Sequence, residues 1–126
     1  MIRESEYNGS AHSNLANLAM IEGRYEEARR EIGLALARNP AMPYAWERLA
    51  LIAMSERRPR TALDALAREK PKPEHRAITE RLRREARALL TETEARRAEL
   101  RAALAREPGR RDLADSLAAT ERRLAR

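Results

Sequence analysis

The sequence predicts an all-α fold, a stack of antiparallel helix hairpins (an α-solenoid) of about seven helices, on three observations. First, the word Ala-Leu-Ala-Arg occurs at 35–38, 65–68 and 103–106, each time shortly before a proline (Pro40, Pro71, Pro108). The outer copies lie 68 positions apart, twice 34, with the middle copy four positions off the midpoint; a period near 34 residues belongs to helical repeats whose units bury their apolar faces on one another. Second, the 126 residues are 37% charged and 43% apolar, with no Phe and no Cys. The core must then be Leu, Ile, Met and Ala, side chains that let helices approach closely. Third, proline and glycine fall between apolar stripes of helical spacing.

Each element follows in order. Asn8-Gly9-Ser10 reads as a turn with Ser10 as N-cap. The helix after it carries Ala11, Leu15, Leu18 and Ala19 on one face and is broken by Gly23-Arg24. The next segment, YEEARREIGLALARN, aligns Ala28, Ile32, Ala35 and Leu36, with glutamates early and arginines late, the order favoured by the helix dipole. Pro40 and Pro43 separate it from AWERLALIAMSE, whose stripe is Trp46, Leu49, Ala50 and Ala53. Arg57-Arg58-Pro59 ends that helix and begins RTALDALARE, which Pro71 and Pro73 close. Neither Pro nor Gly then occurs before Pro108, so this stretch is one uninterrupted helix or two. Two details favour a break near Thr91. The stripe Ile78, Leu82, Ala86, Leu89 fades through TETEARR and resumes at Leu100 and Leu104, and Thr91 and Glu94 have the spacing of a capping box. A final helix, about 111–125, carries Leu113, Leu117 and Leu124.

With Gly23 in a turn, GRYEEA at 23–28 and the set Leu15, Ala16, Ala28, Ile32, Ala35 and Pro40 resemble the tetratricopeptide repeat, a 34-residue helix-turn-helix unit. The resemblance places repeat 1 at 9–42 and repeat 2 at 43–76, where Trp46, Leu49, Ala50, Ala62 and Leu66 fit. Glu69 and Glu74 stand where repeat 2 should have a small residue and a proline, so its second helix is expected to end early. Residues 77–110 keep only Leu100, Ala103 and Pro108, and Arg84 and Arg96 occupy positions where helices should nearly touch. They are expected to form a degenerate helical hairpin, and 111–126 a capping helix, within a single domain spanning 1–126. The family implies a right-handed superhelical stack.

The function classes narrow by chemistry. Catalysis is not expected: His12 and His75 lie far apart, no metal-ligand spacing joins them to carboxylates, and no phosphate-cradling loop or nucleophile elbow occurs. No cofactor and no metal are expected. No apolar run approaches the length of a membrane span, and the N-terminus lacks the apolar core of a secretory signal, so a cytoplasmic location is the expectation. The net charge of +6 is uneven: residues 1–56 carry six basic against eight acidic groups, residues 57–126 carry 20 against 12. A basic half, with Arg81, Arg84 and Arg87 at three-residue steps, offers an alternative function as a module associating with nucleic acid or another acidic surface. Only four aromatics (Tyr7, Tyr25, Tyr44, Trp46) are available to stack bases, and ion pairs with Glu80 and Glu85 are the simpler expectation for that stripe.

The resemblance implies non-catalytic protein–protein interaction, an adaptor, chaperone-like or assembly role, in which the first helices of successive hairpins line a concave groove for a partner's peptide or helix. On this chain the groove residues are Asn17 and Met20, then Tyr44, Glu47, Leu51 and Met54, then Arg81 and Glu85. Tyr44 and Arg81 are of the types enriched at binding hot spots, with Asn17 and Glu47 orienting the ligand. The carboxylate clamp of one subfamily is not expected, because Ser13 stands where a lysine should and Ile78 and Leu82 replace other cations. Met20 and Met54 suit an apolar peptide, or equally packing between repeats.

Overall fold

The computed structural model describes residues 14–42 and 44–126; the expected Ser10 cap, Ala11, His12, Ser13 and Pro43 lie outside them. Helix is the only regular structure among the described residues. Residues 14–21 lie in α1, followed by α2 (Tyr25–Arg38), α3 (Ala45–Ser55), α4 (Pro59–Arg68), a 3-10 turn (Pro73–His75), α5 (Arg76–Arg106) and α6 (Arg111–Leu124). No helix among these residues is long and apolar enough to cross a membrane.

The first four helices share one construction, repeated 34 positions on. In the α1–α2 turn the Gly23 amide donates to the Met20 carbonyl (3.1 Å) and the Arg24 amide to that of Ala19 (2.8 Å). In the α3–α4 turn Arg57 donates to Met54 (3.0 Å) and Arg58 to Ala53 (2.8 Å). Both are Schellman closures, which satisfy the last carbonyls of a helix by placing one residue in the left-handed region. That residue is Gly23 (φ 77°) in the first turn and Arg57 (φ 62°) in the second. A Cβ at Gly23 would meet no atom within 4 Å, so glycine is there for its φ and not for space.

Burial repeats as well. Ala16 and Ala50, Ala19 and Ala53, Ala28 and Ala62, and Ile32 and Leu66 are buried pairs at the same separation. Ala16, Ala19, Ala28 and Ile32 pack with Ala45 and Ile52, so α3 closes the first hairpin. Ala50 and Ala53 meet Ala62, Ala65 and Leu66 of α4 and Leu82 and Ala86 of α5. Pro59 begins α4 at a position where its missing N–H costs nothing.

The third unit departs from the expected hairpin at 77–110. Helix α5 runs unbroken through Thr91, so the described residues form six α-helices where about seven were expected. Position 91 lies 34 after Arg57, but a β-branched residue is poorly suited to the left-handed conformation. The Thr91 hydroxyl instead donates to the Arg87 carbonyl (3.1 Å) inside the helix, and Glu94 lies 3.7 Å from Arg60 of α4 rather than closing a capping box. Arg84 and Arg96 bury no charge, because without a returning helix at that point both are exposed.

At about 1.5 Å per residue, the 31 residues of α5 far outreach α4. Its first half packs on α4 and its second half on α6, where Arg101 meets Glu121 at 2.9 Å. The far tip is held by Arg110, which bonds Glu107 and Asp112; its hydrogen bond keeps the Asp112 carboxyl below the usual range. α6 returns to α4: the Arg60 guanidinium donates to the Leu124 carbonyl (3.2 Å), placing a cation at the helix C-terminus, and Arg126 lies 3.4 Å from Asp64.

Candidate functional site

The N-terminal end of α3 gathers much of the unusual chemistry of the chain. No side chain of its own caps this helix, and Tyr44, the N-cap residue, adopts a left-handed backbone (φ 63°, ψ 10°). The cap comes from the end of α4. Glu69 accepts from the Tyr44 amide at one carboxylate oxygen (3.2 Å) and from the Glu47 amide at the other (3.1 Å). One carboxylate thus satisfies two of the free amides and complements the positive end of the helix dipole. α4 does end early, as expected from the sequence, and Glu69 is the reason the departure is tolerated: it is buried in a capping role instead of leaving a gap.

Glu47 is a buried residue, 8% exposed, and its Oε2 lies 2.6 Å from Nε2 of His75, at the start of α5. It ties α3 to α5. The His75 ring also packs on Tyr44, with centroids 4.3 Å apart at 46°. Sequence reasoning missed His75 and Glu69 as organisers of this corner, since each acts on a partner more than 20 residues away.

Beside this knot lies a cleft of about 490 Å³ between the α2–α3 connection and the end of α4, with Met42, Tyr44 and Trp46 on its walls and Arg68, Lys70 and Lys72 at its rim. The Arg68 guanidinium carbon sits 4.9 Å from the Trp46 ring centroid, a cation–π arrangement. The cleft is mostly apolar inside and cationic at the edge.

The other expected groove residues are placed as follows. Met20 is partly buried against the α1–α2–α3 cluster, and Leu51 and Met54 against the α3–α4–α5 cluster, so packing accounts for much of each. Asn17 is half-buried. Arg81 and Glu85 are exposed and lie 3.9 Å from one another. Of these residues only Tyr44 lines the aromatic cleft. In the arginine stripe, Glu80 pairs with Arg83 and Glu85 with Arg81, while Arg84 and Arg87 stand exposed. Among the described residues no cluster of three or more His, Asp or Glu is placed to hold a metal ion.

In comparisons with family models, curated proteins and solved structures, no match to this chain was found.

Proposed function

We propose that this chain is a non-catalytic protein-interaction module of tetratricopeptide-like design that binds a peptide of a partner protein, acting as an adaptor or assembly factor. The observation that carries the reading is the convergence of Tyr44, Trp46 and Arg68 on one cleft. These are the residue types that dominate binding energies when a partner desolvates them. The mechanism follows from the geometry. An apolar side chain of the peptide enters against Met42 and Trp46, and an acidic group beside it meets Lys70 and Lys72. Because Glu69 and His75 fix the backbone and ring of Tyr44, little ordering entropy is lost on binding. On this reading the binding face centres on Tyr44, while Met20, Leu51 and Met54 lie partly buried against the two core clusters.

Affinity capture with mass spectrometry, using wild type, the rim variant Arg68→Glu/Lys72→Glu and the outer-face control Arg30→Ala, tests this directly. The rim variant should lose the partners that wild type and control retain, by about tenfold or more for charge-assisted contacts. Trp46, the single tryptophan, should change its fluorescence when a captured peptide is added. Retention of the same partners by the rim variant rejects the cleft. Partners released by nuclease from all three proteins would instead favour the nucleic-acid reading.

A further inference from the structure

A second cleft lies at the opposite end of α3, where the α3–α4 turn meets the middle of α5 and the last turns of α6. It has a volume of about 440 Å³, and Arg57, Arg96 and Arg123 face it alongside Glu92 and Glu99. An adjoining hollow of about 470 Å³ shares Arg123 and adds Arg58 and Arg122. Two helices and a turn thus bring together five arginines from three separate parts of the sequence.

Their ordinary use would be ion pairing, and most are not so used. Arg96 lies 3.7 Å from Glu99, and Glu56, at the rim of the hollow, is already engaged by Arg29. Among the described residues, Arg57, Arg122 and Arg123 make no side-chain ion pair or hydrogen bond, and Nε of Arg58 is buried without a partner. Five guanidinium groups thus face only Glu92, Glu99 and the already engaged Glu56, so an anion that joins the cations left over gains from them.

The backbone supplies an independent sign. Arg57 holds the left-handed conformation that glycine provides at the equivalent place, Gly23, in the sister turn. A side chain there opposes the backbone preference, and its guanidinium is what the cleft receives in return. We propose that this arginine cleft binds an acidic segment of a partner polypeptide, with Arg57 and Arg123 gripping its carboxylate or phosphate groups. A protein segment fits better than nucleic acid for two reasons. Glu92 and Glu99 interrupt the cationic wall, which an unbroken phosphate backbone would have to cross. No aromatic residue lines the cleft to stack a base. The site is separate from the aromatic cleft and does not depend on it.

The test uses the full chain and a fluorescein-labelled oligoglutamate peptide read by anisotropy, with oligothymidylate of equal charge in parallel. Arg57→Gly removes the guanidinium while relieving the backbone, so its melting temperature should not fall. It should nonetheless bind the peptide about tenfold more weakly, as should Arg123→Gln, while Arg30→Gln stays within about twofold of wild type. The peptide affinity should also decline with salt. Unchanged binding by Arg57→Gly and Arg123→Gln overturns the proposal, as does an equal loss in Arg30→Gln, which would show non-specific charge attraction. Oligothymidylate binding that is tighter than peptide binding and lost in the same variants would give the cleft to nucleic acid and overturn the choice of partner. None of these variants touches Tyr44, Trp46 or Arg68, so the two clefts fail or stand separately.

Discussion

Residues 14–68 and residues 76–126 solve the same packing problem in different ways. In the first region every hairpin turns after a Schellman closure, and the helices meet through Ala16, Ala28, Ala50 and Ala62. In the second, the positions 34 residues after Ala50, Ala53 and Ala62 are Arg84, Arg87 and Arg96, and the turn position is Thr91. All four are exposed, on a helix that does not turn. Small residues at the contact and a left-handed residue at the turn are therefore joint requirements of a hairpin here. Where both are lost, the chain extends until Pro108-Gly109 permits a return, and α6 packs on the far half of α5.

The comparison can be broken most severely at position 91. Thr91→Pro should cost about 3 kcal/mol or more, because it removes an internal helix hydrogen bond and clashes with the preceding turn; chemical denaturation followed by circular dichroism measures this. A loss below about 1 kcal/mol would indicate that the chain already turns there, as it does at Gly23 and Arg57. Next come the contact positions. Ala28→Leu and Ala62→Leu should each destabilise by about 1–3 kcal/mol through overpacking, while Arg96→Leu, at the matching place in the second region, and Ala37→Leu, on the exposed side of α2, should not. Equal melting temperatures for all four would dissolve the distinction between the regions. The smallest effect sharpens the relation between the two turns themselves. Gly23→Ala should lower stability by about 1 kcal/mol and Arg57→Gly raise it by a similar amount, since each changes the cost of one left-handed residue. Changes of the same sign in these two variants would mean that the turns are not equivalent.

Much of this was legible from local pattern. The turn at Gly23, the proline start of α4, the early end of α4 and the buried alanines follow from spacing and backbone preference, which act over a few residues. What was not legible depends on partners distant in sequence. Glu69 reads locally as a defect in the repeat, yet it caps a helix that begins 24 residues earlier. Glu47 reads as a groove residue until His75 is seen against it. Thr91 and Glu94 have capping-box spacing, but the box loses to helix propensity on both sides and to the pull of Arg60 on Glu94. The arginine cleft was not anticipated either, since its members are scattered over 57–123 and only the return of α6 assembles them.

The continuity of α5 also governs how the molecule comes apart. A stack of discrete hairpins loosens from its ends, one unit at a time, because little backbone hydrogen bonding crosses each boundary. Here the boundary is crossed by an unbroken helical ladder that belongs to the α3–α4 layer on one side of Thr91 and to the α6 layer on the other. Releasing α6 leaves the far half of α5 a bare, highly charged helix whose first amides, from Thr91 onward, bond to the carbonyls that directly follow the core residue Ala86. Amide exchange along α5 should therefore grade smoothly from Arg106 toward Arg76 without a step at Thr91, so that the last two helices share a cooperative opening with the core they cover.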